Sequence, residues 1–422
     1  MTPRTADVLV VGAGPAGSAA AAWAARSGAE VTLVDAAHFP RDKPCGDGLT
    51  PRAMAELERL GLHQWCAQHT RNEGLRAAGF GQELYLPWPG GSLPRFGGAV
   101  PRLTLDARIR QAAIDAGATA LDGYRAVGVT TEGGRVTRVQ FTTAADPVAG
   151  TPAGRTEVNC RRLIVADGAR SHLGRLLGRT WHRTTAYGVA ARAYLASERS
   201  DDPWISSHLE LRDEDGALLS GYGWIFPLGN GEVNLGVGTL ATARRPAQVN
   251  LRGLLAHYAE SQRESWRLSG EVRAPWSALL PMGGAVSGIA GRNWVLIGDA
   301  AGCVNPLNGE GIDYGLETGR LAAEVLTETT DGTIDLQHQW PQLLRHHYAS
   351  AFSIARRLAG LLTVPGLLTT AGPIGMRSRA LMTIALRVMG NLITDEDTDA
   401  TARIWRAAGR TSIRCDQRPP FT

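Results

Sequence analysis

The chain has no Gly-x-Ser-x-Gly elbow, no P-loop, and no HExxH or HxxxH pairing among its 10 histidines. Serine-hydrolase, nucleotide-hydrolysing and zinc-enzyme chemistry therefore have no residues to carry them, and no metal site is expected. Cysteine is scarce: five, at 45, 66, 160, 303 and 415, with neither disulfide-framework nor zinc spacing. Their odd number suits a reducing compartment. The four other than Cys45 read as packing residues, because a free thiol behaves as a small buried hydrophobe; Cys303 is set apart by following Asp299 closely. Net charge is low as well, +4, too little and too diffuse for nucleic acid, whereas an Arg-rich basic surface suits an anionic membrane. Met-Thr-Pro-Arg leads almost at once into an apolar strand, without a signal peptide, so the expectation is a cytoplasmic chain. There is no internal repeat, and 422 residues hold two or three structural units around a sizeable core.

What is present begins with an apolar run at Asp7–Val11, then Gly12-Ala13-Gly14-Pro15-Ala16-Gly17, an Ala-rich stretch to about Arg26, and a second apolar run Glu30–Val34 ending in Asp35. This reads as strand, turn, helix, strand. Gly12 permits the tight turn, Gly14 lets a pyrophosphate approach the backbone, Gly17 allows close helix–strand packing, and the helix start offers N–H groups with a partial positive charge. Asp35 stands where an acid accepts from a ribose hydroxyl.

Two later turns choose between dinucleotides. Leu163-Ile-Val-Ala-Asp167-Gly168 is a strand ending in Asp-Gly, and Trp294-Val-Leu-Ile-Gly298-Asp299 is one ending in Gly-Asp, followed by Pro306-Leu-Asn-Gly309-Glu-Gly311-Ile312-Asp313. Asp299 at a strand end can accept from a ribityl hydroxyl, and glycines at 309 and 311 let backbone N–H groups reach a flat ring system. Together they point to FAD rather than NAD. The bland reading of each aspartate is a helix cap.

In this order the GxGxxG, DG and GD motifs resemble those of flavoproteins built like aromatic hydroxylases. Pro44-Cys45-Gly46-Asp47-Gly48, Tyr222-Gly-Trp224-Ile-Phe226-Pro227 and Gly236-Val-Gly238 further resemble the geranylgeranyl reductase family. The likeness runs over nearly the whole chain, and is greatest to the actinobacterial branch that saturates one isoprenoid double bond of menaquinone. The resemblance implies an FAD-dependent oxidoreductase acting on CH–CH groups. It implies Cys45 as the thiol near the flavin, and Tyr222, Trp224 and Phe226 along the polyprenyl site. It also implies Pro44, Cys45, Gly46, Asp47, Arg102, Asp167, Asp299, Gly311 and Ile312 around FAD, together with the residues of the first turn and Asp35.

The expected fold is α/β, a Rossmann-like FAD-binding domain with an inserted β-sheet substrate domain and a helical C-terminal region. The FAD-binding domain would take 1–72, 100–180 and 285–330; the sheet domain, 73–99 and 181–284, carries β-rich runs such as Ala186–Leu195, His208–Leu211 and Glu232–Gly238. A sheet laid over the flavin creates a cleft between domains. Residues 142–156 read as a loop, and His346-His347 as part of a solvated helix. Within the third region, 331–422, no charge occurs from Leu358 to Met376, flanked by Arg356-Arg357 and Arg377. That length spans a bilayer, but Pro365, Gly366, Gly372 and Pro373 are expected to break it into short helices that wall a substrate tunnel or lie at the inner face of the membrane. Ordinary core helices are the alternative.

An isolated trisubstituted alkene has no carbonyl to take up negative charge, so a proton must accompany hydride from reduced FAD. The Cys45 thiol, or a water it positions, is the first candidate for the acid. Tyr222 and Trp224, two apart in a strand, face one side. The sequence carries no second Rossmann unit for NAD(P)H, leaving an external donor: NAD(P)H bound transiently, a ferredoxin, or another reduced carrier. Other readings are a reductase of geranylgeranyl diphosphate or lipids, a flavin monooxygenase or halogenase, and a prenyl-lipid carrier that keeps FAD structurally.

Overall fold

The computed structural model describes residues 4–143, 153–247, 249–327 and 335–422. Its first sheet grows from the Gly-rich βαβ unit. Arg4–Val11 pairs in parallel with Val31–Asp35 on one side and with Gly154–Val165 on the other, and Thr119–Asp122 extends the parallel set. Gly154–Val165 serves two neighbours: its first half pairs antiparallel with Arg135–Thr143, its last residues in parallel with Trp294–Leu296. The strands buried on both faces read as continuous apolar runs, as parallel strands covered by helices do. Helix Pro15–Arg26 covers them through Ala19–Ala22 and Ala24, all buried, and helix Ile312–Thr327 packs on that helix so closely that a Cβ at Gly319 would sit 2.5 Å from the Ala16 carbonyl oxygen.

The second sheet runs Leu268–Leu280, Tyr187–Ser197, Glu232–Ala241, Gly221–Pro227, Trp204–His208, Gly74–Gly79, Gln82–Pro87. Residues 74–87 thus join 187–280 in one sheet, by a parallel pairing of Gly74–Gly79 with Trp204–His208. Strand alternation divides its faces. Ala193, Leu195, Ile225, Leu235 and Val237 form a core with helix Leu251–Ser261 and Trp266. Tyr222, Trp224 and Phe226 take the opposite face, with successive ring centroids 6.0 and 6.3 Å apart. Gly223, between two of them, leaves room for Tyr258, which a Cβ would meet at 2.4 Å.

Several elements lie away from their expected positions. The strand read at His208–Leu211 is Trp204–His208; it ends as Leu209 N–H turns to the Ala78 carbonyl. Residues 142–143 and 154–156 belong to strands rather than to a loop; between them Ala153 is outside any strand, and 144–152 lies outside the described residues, as do Met1–Pro3. Cys66, Cys160 and Cys303 are buried, but Cys415, after the last helix, is exposed rather than a buried packing residue. His346 and His347 are exposed on a helical segment, Arg345–Ala349.

The C-terminal region is helical: Leu336–Leu344, Ser350–Leu362, Leu367–Met376, Arg379–Met389 and Ala400–Arg414. Among the described residues no single helix is long and apolar enough to cross a membrane; Leu336–Leu362 and Leu367–Met376 pass together only as a pair bent by 114°. The bend falls at Val364-Pro365-Gly366, where Gly366 takes φ +78°. The other expected break does not occur: Gly372 and Pro373 stay inside helix Leu367–Met376. Tertiary packing accounts for this, since the missing side chain at 372 seats the helix on Phe80, whose ring a Cβ would meet at 2.4 Å.

Candidate active site

One cavity of about 560 Å³ joins the two sheets and the C-terminal helices, within the size range of small-molecule sites. At one end lies the first turn. Gly12 holds φ +105°, and a Cβ there would stand 2.2 Å from the Ala166 carbonyl oxygen; one at Gly17 would stand 1.8 Å from that of Gly12. Only glycine fits either position. Gly14 caps the helix and Pro15 occupies its first turn, where no N–H partner is missed. Asp35 closes the turn: its carboxylate accepts from Ala13 N–H (2.7 Å) and Ala37 N–H (2.8 Å), and each oxygen keeps a lone-pair site for a hydroxyl. Gly14, Pro15 and Ala16 border the cavity directly, whereas Gly12, Ala13, Gly17 and Asp35 stand behind it.

Asp106 organises the next wall. Fully buried, it accepts the Arg102 fork at 2.6 and 2.7 Å and Arg41 at 2.9 Å. Two guanidinium groups on one carboxylate leave net positive charge there, and Arg41 lies 3.4 Å from where a Gly14 Cβ would be. Asp299 faces Lys43, the one lysine of the chain, at 3.2 Å. Gly311 brings the backbone within 3.2 Å of Asp299, measured to its ideal Cβ, and Ile312 opens the following helix on the cavity. Asp167 departs from expectation. Its carboxylate accepts from Ser171 Oγ (2.6 Å) and Leu173 N–H (2.8 Å) and thereby caps helix His172–Leu176, leaving Gly168 and Ala169 to line the cavity.

Cys45 sits where this wall meets the aromatic face of the second sheet. A Cβ at Gly46 would be 3.1 Å from the Phe226 ring and 3.2 Å from Trp224 Nε1, and one at Gly48 2.8 Å from Phe226, so the glycines let the turn lie flat on the aromatics. Asp47 takes φ +64°, a left-handed conformation Asp tolerates better than most residues. Its Oδ2 accepts from the Tyr194 hydroxyl (2.6 Å) and Asn234 Nδ2 (2.8 Å), its Oδ1 from Arg102 N–H (3.2 Å). Asn234 Nδ2 also donates to the Cys45 carbonyl (2.9 Å), and its Oδ1 accepts from Trp224 Nε1 (2.9 Å). Gly236 completes the arrangement, because a Cβ there would be 2.1 Å from the Trp224 ring.

The electrostatics follow from burial. It pushes the Cys45 thiol above its ordinary value, with Arg102 pulling down and Asp47 up, so the sulfur stays protonated at neutral pH; the Asp47 N–H points to it at 3.3 Å. Burial also lifts the Asp47 carboxyl to about 6, against the Tyr194 and Asn234 hydrogen bonds. Arg41, Lys43, Asp106, Tyr194, Asn234 and Glu310 were not singled out from the sequence. For Asn234 a signal exists, a polar residue amid the apolar run of Glu232–Ala241, as it does for Asp106, one helical turn after Arg102, and for Glu310, between the glycines at 309 and 311.

The residues present fit FAD: a glycine cradle that any Cβ would fill, a cationic wall above it, and an Asp-Gly-Ile edge suited to a ribityl chain and ring. The FAD binding domain family model matches residues 5–337. Menaquinone reductase of Mycolicibacterium smegmatis is 62% identical over 418 residues, 99% of either chain, and the protein of that name from Mycobacterium tuberculosis is equally similar.

The chain belongs to the menaquinone reductase family.

It is an FAD-dependent oxidoreductase. More distant members of this flavoprotein group include digeranylgeranylglycerophospholipid reductase 1 of Methanopyrus kandleri, 28% identical over 84% of this chain and 90% of that one. The same fold occurs in a geranylgeranyl bacteriochlorophyll reductase-like protein from Thermoplasma acidophilum (TM-score 0.76, 21% identity, 96% of this chain and 99% of that one). A flavin-dependent brominase shares it too (TM-score 0.72, 19% identity, 98% and 100%).

Proposed function

We propose that this flavoenzyme reduces one C=C bond in the isoprenoid side chain of menaquinone. The observation that carries the reading is the continuity of the cavity, from the FAD cradle past Trp224 to the C-terminal helices. Four of the six methionines in the chain, Met282, Met376, Met382 and Met389, line it, and flexible, polarisable side chains suit a flexible apolar ligand. The names of the 62%-identical relatives support the same substrate.

In this reading the FAD-binding unit takes 1–72, 100–180 and 285–330, the substrate unit 73–99 and 181–284, and 331–422 closes the tunnel. FAD supplies hydride once an external donor has reduced it. Gly12–Gly17, Asp35, Arg102, Asp299, Gly311 and Ile312 hold it; Asp167 acts from behind, by fixing the turn whose Gly168 and Ala169 border the site. Pro44, Cys45, Gly46 and Asp47 form the wall between cofactor and prenyl chain. Tyr222, Trp224 and Phe226 hold the alkene, and the neutral Cys45 thiol adds an apolar, protonated edge.

The substrate is a membrane lipid, and the tunnel-lining helices expose Leu361, Val364, Ile374, Leu381 and Ile384 beside the exposed Arg377 and Arg379. We assign this face to peripheral contact with an anionic bilayer, on the cytoplasmic side.

Oxygen dependence distinguishes the reading from hydroxylase or halogenase chemistry. In an anaerobic chamber, FAD-loaded protein with dithionite and detergent-dispersed menaquinone should reduce the side chain at an undiminished rate. A product that forms only in air, carrying added oxygen, would replace this reading.

A further inference from the structure

Saturating an alkene consumes a proton as well as a hydride, and the cavity holds an acid besides the Cys45 thiol. Glu310 borders it immediately before Gly311 and Ile312. Its backbone is fixed: the carbonyl accepts from Asn305 N–H (2.8 Å) and the N–H donates to Asn308 Oδ1 (2.9 Å). Tyr222 hydroxyl donates to the Asn308 carbonyl (2.5 Å), which ties this loop to the aromatic strand. The carboxyl itself is little engaged. Its Oε1 takes a long contact from Asp313 N–H at 3.5 Å and the Ile312 N–H also points to the carboxyl, but among the described residues no cation forms an ion pair with it. The neighbouring carboxyl, Asp313, is by contrast occupied by Asn391 Nδ2 (3.0 Å) and Tyr314 N–H (2.7 Å).

We propose that Glu310 is the proton donor to the prenyl double bond, which rests on the reading of the site as an alkene reductase. The π bond breaks as hydride from reduced FAD forms one C–H bond and the Glu310 O–H proton forms the other. FAD is left oxidised, and Glu310 is left as a carboxylate that regains its proton from water. The groups facing Glu310 are Cys45, Arg102, Tyr222 and Asp313. Burial first, then the Asp313 charge, keep its carboxyl well above the ordinary range, with Arg102 opposing. A carboxyl that remains neutral at pH 7 in an apolar site is a competent acid.

Infrared difference spectra of the holoprotein, comparing wild type with Glu310→Gln, test the proton-bearing state without turnover. The expected result is a protonated-carboxyl C=O band at pH 7 that is absent from Glu310→Gln and kept in Cys45→Ala. In single turnover Glu310→Gln should retain FAD and its reduction by dithionite, yet lose about 100-fold or more in side-chain reduction; Glu310→Asp should recover part of it. No such band, or Glu310→Gln reducing the alkene at the wild-type rate, overturns the proposal. If the band is present but wild-type protein leaves the side chain unreduced, the reductase reading fails, and with it the donor role.

Discussion

At the scale of single residues the site hangs on Asn234. It is fully buried and satisfies three partners at once: the Trp224 indole, the Cys45 carbonyl and the Asp47 carboxylate. Truncation leaves each of them buried without its hydrogen bond, so Asn234→Ala should destabilise the protein by roughly 2–4 kcal/mol, measured by urea unfolding. Asp47 carries a pH signature. Its folded-state carboxyl titrates near 6, above the unfolded value of about 3.9. The native state therefore holds a proton that the unfolded chain releases, and stability present at low pH is lost as pH rises from about 4 through about 6. Asp313 follows the same direction, also lifted to about 6 by burial. Asp47→Asn should flatten the decline by roughly 3 kcal/mol, and an unchanged slope would contradict the assignment. How far this cluster can be read without coordinates is uneven. Cys45, Trp224 and the glycines sit in motifs whose spacing signals chemistry, and Asp106 follows Arg102 at the i,i+4 spacing of a helix; Tyr194, by contrast, reaches Asp47 from 147 residues away, and the Arg41–Asp106 pair joins two segments 65 residues apart, contacts that no local pattern encodes.

Among elements, the most legible is the first βαβ unit, because backbone constraints dictate it: glycine is the only residue that fits at 12 and 17, and the helix after it is nearly all alanine. The second sheet is legible in kind but less in bounds. Leu268–Leu280, its longest strand, alternates too weakly for the sequence to mark it, and Trp204–His208 is displaced by three to four residues from the expected run. In the C-terminal region propensity misleads: Gly372-Pro373 signals a break, yet packing on Phe80 keeps the helix intact. This element also carries the proposed membrane contact. Ile374 and Leu381 are 61% and 52% exposed, so replacing both with Glu should change stability by no more than about 0.5 kcal/mol each. Flotation with anionic liposomes should show binding reduced several-fold, while activity on detergent-dispersed substrate is retained.

Across the whole molecule, function lies in the junction of three parts, none of which holds the site alone. The Gly-rich sheet supplies the cofactor cradle, the second sheet the aromatic floor, and the C-terminal helices the methionine-lined extension. The sequence motifs mark the first two; the third is visible only as an uncharged run, because nothing local says that 358–389 closes the cavity lined by Tyr222 and Trp224 rather than lying within a bilayer. The continuity of this cavity predicts where reduction occurs on the substrate. A flavoenzyme that merely passed electrons to the quinone ring would give a quinol, which air reoxidises, whereas saturation of the prenyl chain is permanent. FAD-loaded protein should therefore be incubated with menaquinone and dithionite, the extract reoxidised in air, and the quinone weighed by fragment-resolved mass spectrometry. A gain of two hydrogens that survives reoxidation and maps to one isoprenoid unit is the predicted result, and recovery of menaquinone at its starting mass would contradict it.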